Sequence, residues 1–249
     1  MKRISTYLSS GVFLLLLLII WEIGARIYNK SFVLPSPTDI AVKLWELKEI
    51  LLFVHLPATL LIIAIGLLAS IIIGIGLAVW MYMSKVAERT FYPIIIASQA
   101  IPTIALGPIF VVWFGYSIWS KVLVTFLITF FPLTVSTFDG LKSTNKDLKE
   151  LMLTMGASKK DIFFKLDVPS AFPSIFSGLK VAVTVSVIGA AIGEWLGAQA
   201  GLGYFSRRMM TQFDGAAVFA PIVILAAVGI LLFLLVIGIE KICLKWRKQ

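Results

Sequence analysis

Residues 56–83 read LPATLLIIAIGLLASIIIGIGLAVWMYM and include no charged side chain. A helix needs about 20 mainly apolar residues to cross the hydrocarbon core of a bilayer, so this stretch predicts a transmembrane helix. Five more segments on either side of it meet the same criterion. We therefore predict an all-α membrane protein with six transmembrane helices, at residues 8–27, 56–83, 91–114, 121–141, 172–198 and 217–240.

The composition of the chain excludes a water-soluble globule. Of its 249 residues, 59% are hydrophobic and 14% are charged, whereas a soluble domain carries about 25% charged residues. No polar stretch is long enough for a separate soluble domain, so we predict a single transmembrane domain over residues 1–249. The net charge of +9 comes from basic residues clustered between the apolar runs. That pattern is typical of a membrane protein oriented by charge, and it does not indicate nucleic-acid binding.

Two of the predicted spans have special features. The third contains Pro93, Pro102 and Pro108, and proline removes a backbone donor and clashes with the preceding turn, so we expect a kinked or broken span. The first span follows two basic residues and resembles the apolar core of a signal peptide. No A-x-A-like cleavage site comes after it, so we expect a retained first helix.

The distribution of basic residues predicts the orientation of the six spans. Cytoplasmic loops of membrane proteins carry an excess of lysine and arginine. With both termini in the cytoplasm, fifteen of the 22 basic residues lie on the inner side. The outer side then holds Arg26, Lys30, Lys43, Lys48, Lys121, Arg207 and Arg208. We therefore predict that both termini are cytoplasmic.

Small residues recur at every fourth position in the second and fifth spans. They are Gly66, Ser70, Gly74 and Ala78 in the second span and Gly178, Ala182, Ser186 and Ala190 in the fifth. Residues four apart share a helix face, and small side chains let helices approach closely in lipid. These faces therefore predict tight helix packing, with sliding during a conformational change as the alternative.

The small-residue face of the fifth span continues to Glu194. A carboxylate inside a membrane is costly and is a default candidate for function. Glu194 lies near the outer end of its span, so two interpretations stay open. It either belongs to a pathway or gate through the membrane, or it marks a solvated helix end.

The loop between the fourth and fifth spans, residues 142–171, falls on the cytoplasmic side of this topology. Asn145 or Asp147 is suited to cap a short helix there, because each side chain accepts hydrogen bonds from free backbone N–H groups. Gly156 can end that helix in the left-handed conformation. We therefore predict a first short amphipathic helix before Gly156.

A second short helix is predicted after Gly156. Ser158 and Asp161 have the spacing of a capping box, and we expect the helix to run to Val168. Pro169 and Pro173 then mark the entry to the fifth span. The two short helices, joined at a right angle, are expected to form a knob that projects into the cytoplasm.

This loop resembles the EAA loop of the permease subunits of ATP-binding-cassette importers. A run Glu-x5-Gly-Ala is followed by Phe, by Val-Pro and by a second Pro. The resemblance implies a coupling helix that docks in a cleft of the ATPase subunit. The implied coupling residues are Asp147, Glu150, Gly156, Ala157, Ser158, Asp161 and Pro169. Leu151-Met152 departs from the pattern, since the family has Ala-Ala there.

Other fragments resemble the same family in the same order along the chain. They are VLPSP at 33–37, IPTIALGP at 101–108, WFG at 113–115 and GLGY at 201–204. The chain is similar to the branch that transports sulfonates, taurine, nitrate or pyrimidine thiamine precursors. Residues 193–203, GEWLGAQAGLG, look most like the pyrimidine-precursor group. That substrate is expected, with a sulfonate, taurine or nitrate as the alternative.

The resemblance also implies the partners of this chain. The chain has no G-x-x-x-x-G-K-[ST] phosphate loop, so we expect it to be non-catalytic and to bind no cofactor. ATP and magnesium are then expected on separate ATPase subunits. A second permease copy, forming a homodimer, and an extracytoplasmic solute-binding protein are implied. The expected location is the bacterial inner (cytoplasmic) membrane, in contact with lipid.

The loop that follows the fifth span is a candidate contact for the binding protein. A glycine-rich turn with Gly201 and Gly203 precedes Arg207 and Arg208. Two arginines are suited to the acidic face of a partner. An ordinary connecting loop is the alternative.

An ion-coupled secondary transporter is the main candidate from another class. It would show internal repeats and charged residues at the membrane midplane, and we find no repeat between the halves. A membrane enzyme would need a motif such as H-E-x-x-H or G-x-S-x-G, and the sequence has neither. A single cysteine, Cys243, excludes an internal disulfide, and a single histidine, His55, leaves little for a metal site.

Overall fold

The computed structural model describes residues 2–245, and the side chains from Gly11 onward. All regular structure in this range is helical. The ten helices are α1 (Lys2–Tyr28), α2 (Pro37–Glu46), α3 (Lys48–Met83), α4 (Lys85–Ser98), α5 (Thr103–Phe114), α6 (Ile118–Lys142), α7 (Lys146–Thr154), α8 (Lys159–Trp195), α9 (Leu202–Thr211) and α10 (Gly215–Cys243). Arg247 and Lys248, which count toward the predicted orientation, lie outside the described residues.

Five of the six predicted membrane spans are present as single helices, and a bent pair of helices is the candidate for the sixth. Helices α1, α3, α6, α8 and α10 are each long and apolar enough to cross a bilayer. The helices α4 and α5 meet the same criterion only as a pair, and they are bent by 100° at a short break, as in a broken span or a re-entrant loop. Pro102 lies at that break, immediately before α5, where its ring and missing N–H disfavour a continuous helix. Pro93 and Pro108 lie inside α4 and α5. The predicted break in the third apolar segment is therefore confirmed.

The chain divides into two compact units. One contains Met1–Ala58 and Gln199–Leu225, and the other contains Thr59–Ala198 and Ala226–Gln249. The prediction of one transmembrane domain over residues 1–249 stays a prediction.

Polar contacts fix the first unit around the turn between α1 and α2. The indole of Trp21 donates to the carbonyl of Pro35 at 3.1 Å. Glu22 accepts a hydrogen bond from the hydroxyl of Thr38 at 2.8 Å and another from its backbone N–H at 3.1 Å. Ser36 caps α2 with a capping box. These contacts hold α2 against the end of α1.

Close approach of backbones organises the second unit around α6. A Cβ atom added to Gly66 of α3 would lie 2.9 Å from Thr125 Cβ, and one added to Gly189 of α8 would lie 2.9 Å from Thr125 Cα. A Cβ atom on Gly193 would lie 2.9 Å from Lys121 Cα. All eight residues of the two small-residue faces are buried. The prediction that these faces pack tightly is confirmed.

The second short helix of the loop at 142–171 differs from the prediction. A separate helix that ends at Val168 was expected, but α8 continues from Lys159 through Pro169 to Trp195, so this expectation is wrong. A π-helical turn at Phe163–Asp167 explains the difference. It widens the helix immediately before Pro169, which gives the proline ring room against the preceding turn.

Candidate coupling loop and its surroundings

Local capping defines the ends of the first helix of the loop, α7. The side chain of Asn145 accepts a hydrogen bond from the N–H of Asp147 at 2.7 Å. At the other end Gly156 has φ +83°, and the N–H of Ala157 donates to the carbonyl of Met152 at 2.9 Å. The predicted cap and left-handed glycine are both confirmed.

The predicted capping box starts α8. The Ser158 hydroxyl accepts from the N–H of Asp161 at 3.2 Å, and the Asp161 carboxylate accepts from the N–H of Ser158 at 3.3 Å. Asp161 also pairs with Lys165 at 2.6 Å. These bonds stabilise the short connection between α7 and α8.

One face of α7 presents apolar side chains and a carboxylate outward. Leu151 is 55% exposed and Met155, just after the helix, is 78% exposed. Glu150 is exposed beside them. Apolar groups grouped with a charge on a projecting helix are typical of a docking surface for another protein. Leu151, which departs from the family's alanine, enlarges that apolar surface.

The opposite side of α7 is attached to the second unit through Lys149. Its Nζ donates to the Tyr82 hydroxyl at 2.8 Å and lies 2.9 Å from Asp167 Oδ1. This contact is an ion pair, and Oδ1 accepts no hydrogen bond from the described residues. The Tyr82 hydroxyl donates to Asp167 Oδ2. We call these three residues the tether cluster.

The tether cluster keeps its lysine charged. Partial burial alone would lower the pKa of Lys149, but its contacts with Tyr82 and Asp167 outweigh burial and raise that pKa above its ordinary value. Lys149 is therefore protonated at neutral pH.

Glu194 lies far from this loop, near the other end of α8. It is 1% exposed and accepts a hydrogen bond from the Thr59 hydroxyl at 2.7 Å. The 27 residues from Asp167 to Glu194 span roughly 40 Å at 1.5 Å per residue. Glu194 is thus enclosed by protein, while its role in a pathway or gate stays a prediction.

The glycines and arginines after α8 have different environments. Gly201 and Gly203 are buried, whereas Arg207 and Arg208 are exposed on α9. The N–H of Gly201 donates to His55 Nδ1 at 3.1 Å. The glycines therefore shape the turn from within, and of these four residues the two arginines are the ones available to a partner.

Comparison with known proteins decides the family. Residues 70–245 match the family described as binding-protein-dependent transport system inner membrane component. The chain belongs to this family. The permease is 57% identical to the formylaminopyrimidine transport permease protein ThiX of Halalkalibacterium halodurans, over all of both chains.

Two other relatives cover most of the permease. It is 32% identical to the riboflavin transport system permease protein RibX of Chloroflexus aurantiacus, over 95% of this chain and 89% of that one. It is 31% identical to the putative aliphatic sulfonates transport permease protein SsuC of Bacillus subtilis, over 92% and 84%. The predicted recognition as an importer permease is therefore confirmed. The permease is a multi-pass membrane protein of a transport family.

The sequence of the permease did not reveal the hydrogen-bond donors of two acidic residues, Asp167 and Glu194. Tyr82 is the penultimate residue of the uncharged span 56–83, and Thr59 is one of its few hydroxyl-bearing residues. Each is therefore a polar residue in an apolar run. That signal marks them as polar groups in need of a partner. It does not say that Tyr82 meets Asp167 or that Thr59 meets Glu194.

Proposed function

We propose that this chain forms the translocation pathway of an ATP-binding-cassette importer for a formylaminopyrimidine-type thiamine precursor. The observation that carries the substrate is the 57% identity to the formylaminopyrimidine permease along the whole of both chains. A sulfonate, taurine or nitrate is the second candidate, supported by relatives named for sulfonates and taurine at 31% and 28% identity.

Energy for import comes from partner ATPase subunits that hold ATP and magnesium. The sequence has no phosphate loop of its own. The exposed face of α7, with Glu150, Leu151 and Met155, is the docking surface for the ATPase. ATP binding draws the ATPase pair together, and α7 carries that movement into the spans.

The opposite side of the membrane receives the substrate. Both termini are cytoplasmic, as the excess of basic residues on that side indicates. Arg207 and Arg208 then face outward on α9, where an acidic surface of a solute-binding protein can contact them. Two copies of the permease form the pathway in the bacterial cytoplasmic membrane.

Reconstitution tests the substrate. The permease is placed in proteoliposomes with its ATPase and its binding protein, and uptake of labelled formylaminopyrimidine is compared with uptake of taurine, an alkyl sulfonate, nitrate and riboflavin. We expect ATP-dependent uptake of the pyrimidine alone. Uptake of a sulfonate or taurine in its place would assign the second candidate, and ion-driven uptake without ATP would refute the importer class.

A further inference from the structure

Three polar side chains from three separate elements meet beneath α7. Tyr82 comes from the end of α3, Lys149 from α7 and Asp167 from the π-helical turn of α8. In the sequence, Tyr82 is 67 positions from Lys149 and 85 positions from Asp167. The site described above uses the outward face of α7, whereas this cluster lies on its inward face.

Burial makes the tether cluster a demanding arrangement. Asp167 is 2% exposed, and a buried carboxylate requires a counter-charge and hydrogen-bond donors. Lys149 supplies the charge at 2.9 Å, and Tyr82 supplies a hydroxyl donor. The Phe163 ring stacks on the Tyr82 ring with centroids 5.9 Å apart, which covers one side of the cluster. Displacing Lys149 would leave Asp167 with an uncompensated charge.

Lys149 is also the principal attachment of α7 to the spans. Within Lys146–Thr154, only Lys149 and Met152 are half-buried, and the other residues are exposed. Apart from the peptide chain at its two ends, α7 therefore depends on Lys149 for its polar attachment to α3 and α8. The Nζ of Lys149 donates a hydrogen bond to Tyr82 of α3 and forms an ion pair with Asp167 of α8.

We propose that Lys149, Tyr82 and Asp167 form the joint through which movement of α7 is conveyed to α3 and α8. The proposal rests on the proposed function, in which α7 docks the ATPase. The hydrogen bond from Lys149 to Tyr82 and the ion pair of Lys149 with Asp167 attach α7 to both span ends, so a displacement of α7 pulls on α3 and α8 together. From Asp167, α8 then runs without a break to Glu194. The three residues are positioning residues, because none of them needs to touch substrate or ATP.

The test uses the whole complex of permease, ATPase and binding protein in proteoliposomes. ATP hydrolysis and uptake are measured together, and their ratio gives the solute transported per ATP. In Lys149→Met we expect ATPase binding and hydrolysis to persist while uptake per ATP falls at least tenfold. Lys149→Arg should retain much of the ratio, because it preserves the charge.

A matched control separates the joint from any other ion pair. Lys180 pairs with Glu240 at 3.0 Å, and its side chain is 24% exposed, compared with 26% for Lys149. This pair links α8 to α10 and does not involve α7. Lys180→Met should leave uptake per ATP close to that of the wild type.

The double variant Lys149→Met, Asp167→Asn separates coupling from folding. Removing both charges relieves the unpaired carboxylate, so thermal stability should return toward the wild type while uptake per ATP stays low. Recovery of uptake together with stability would overturn the joint and leave a structural role. Unchanged uptake per ATP in Lys149→Met would overturn it as well.

The design distinguishes this proposal from the proposed function. If the wild-type permease does not assemble with the ATPase, the proposed docking role of α7 is refuted, whatever the three residues of the joint do. If wild type and Lys149→Met both assemble and transport equally per ATP, docking stands and the joint fails.

Discussion

Replacing Gly189 by alanine tests the close contact between α6 and α8 with a single methyl group. The added Cβ would lie 2.9 Å from Thr125 Cα and 3.5 Å from Thr125 Cβ. The nearest atom belongs to the backbone, so no side-chain rotation relieves the contact and the two helices must separate by several tenths of an ångström. Overpacking of this kind costs about 1–3 kcal/mol, and separation weakens dispersion contacts along the whole interface.

A second glycine provides the control. Gly76 of α3 has no atom within 4 Å of an added Cβ, so Gly76→Ala should be neutral or should stabilise the helix by up to about 1 kcal/mol. Both variants are purified in the same detergent, and unfolding is followed by heat and by denaturant. We expect Gly189→Ala to unfold at a clearly lower temperature than Gly76→Ala. Equal stability would refute the argument that backbone contact sets the tolerance of this interface.

Three further predictions concern the loop, the buried carboxylate and the response to pH. Glu150→Lys and Gly156→Pro should each abolish co-purification with the ATPase. Glu150→Lys reverses the charge of the docking surface, and Gly156→Pro forbids the φ of +83° at that position. Both variants should still insert into the membrane normally, which fractionation checks. Thr59→Val should lower stability by about 1–3 kcal/mol by removing a donor to buried Glu194, and thermal unfolding beside Thr59→Ser, which keeps a hydroxyl, checks this. Folding raises the pKa of Lys149 above its ordinary value. The contribution of Lys149 to the stability of the fold is therefore complete at pH values below the ordinary lysine pKa. It is lost as the pH rises through the higher pKa of the folded state. The stability difference between wild type and Lys149→Met should therefore stay constant from pH 7 to about 9, and a difference that disappears in that range would contradict the pairing.

The membrane spans were predictable because their signal is local. Length and apolarity report directly on the thickness of a bilayer, so the stretch that ends at Met83 is recognisable without knowledge of its neighbours. A break in the third span follows from the chemistry of proline, but the sequence has three prolines there and does not say that the break comes at Pro102. The caps at Asn145 and Ser158 depend on side chains within three positions of the bonds they make.

What the sequence could not supply is either a contact between distant residues or a change of helix type. Thr59 and Glu194 are 135 positions apart, and no periodicity records which helix faces which. The continuation of α8 past Pro169 depends on a π-helical turn, which no residue pattern in this segment marks. From the sequence, Pro169 predicts the end of a helix. In the structure the helix widens just before Pro169 and continues through it.

Three threonines of α6 satisfy their hydroxyl groups within that helix. Thr125, Thr134 and Thr137 each donate their hydroxyl to the carbonyl four residues earlier on α6, at 3.1, 2.8 and 2.7 Å. At these positions the hydroxyl is already satisfied within α6, so a displacement of α3 or α8 breaks none of these three bonds. The small residues of α3 repeat every four positions, or roughly every 6 Å along the helix. Against this background the hydroxyl of Ser70 on α3, 3.0 Å from the carbonyl oxygen of Phe126 on α6, is a polar contact that a movement of one helix along the other would break.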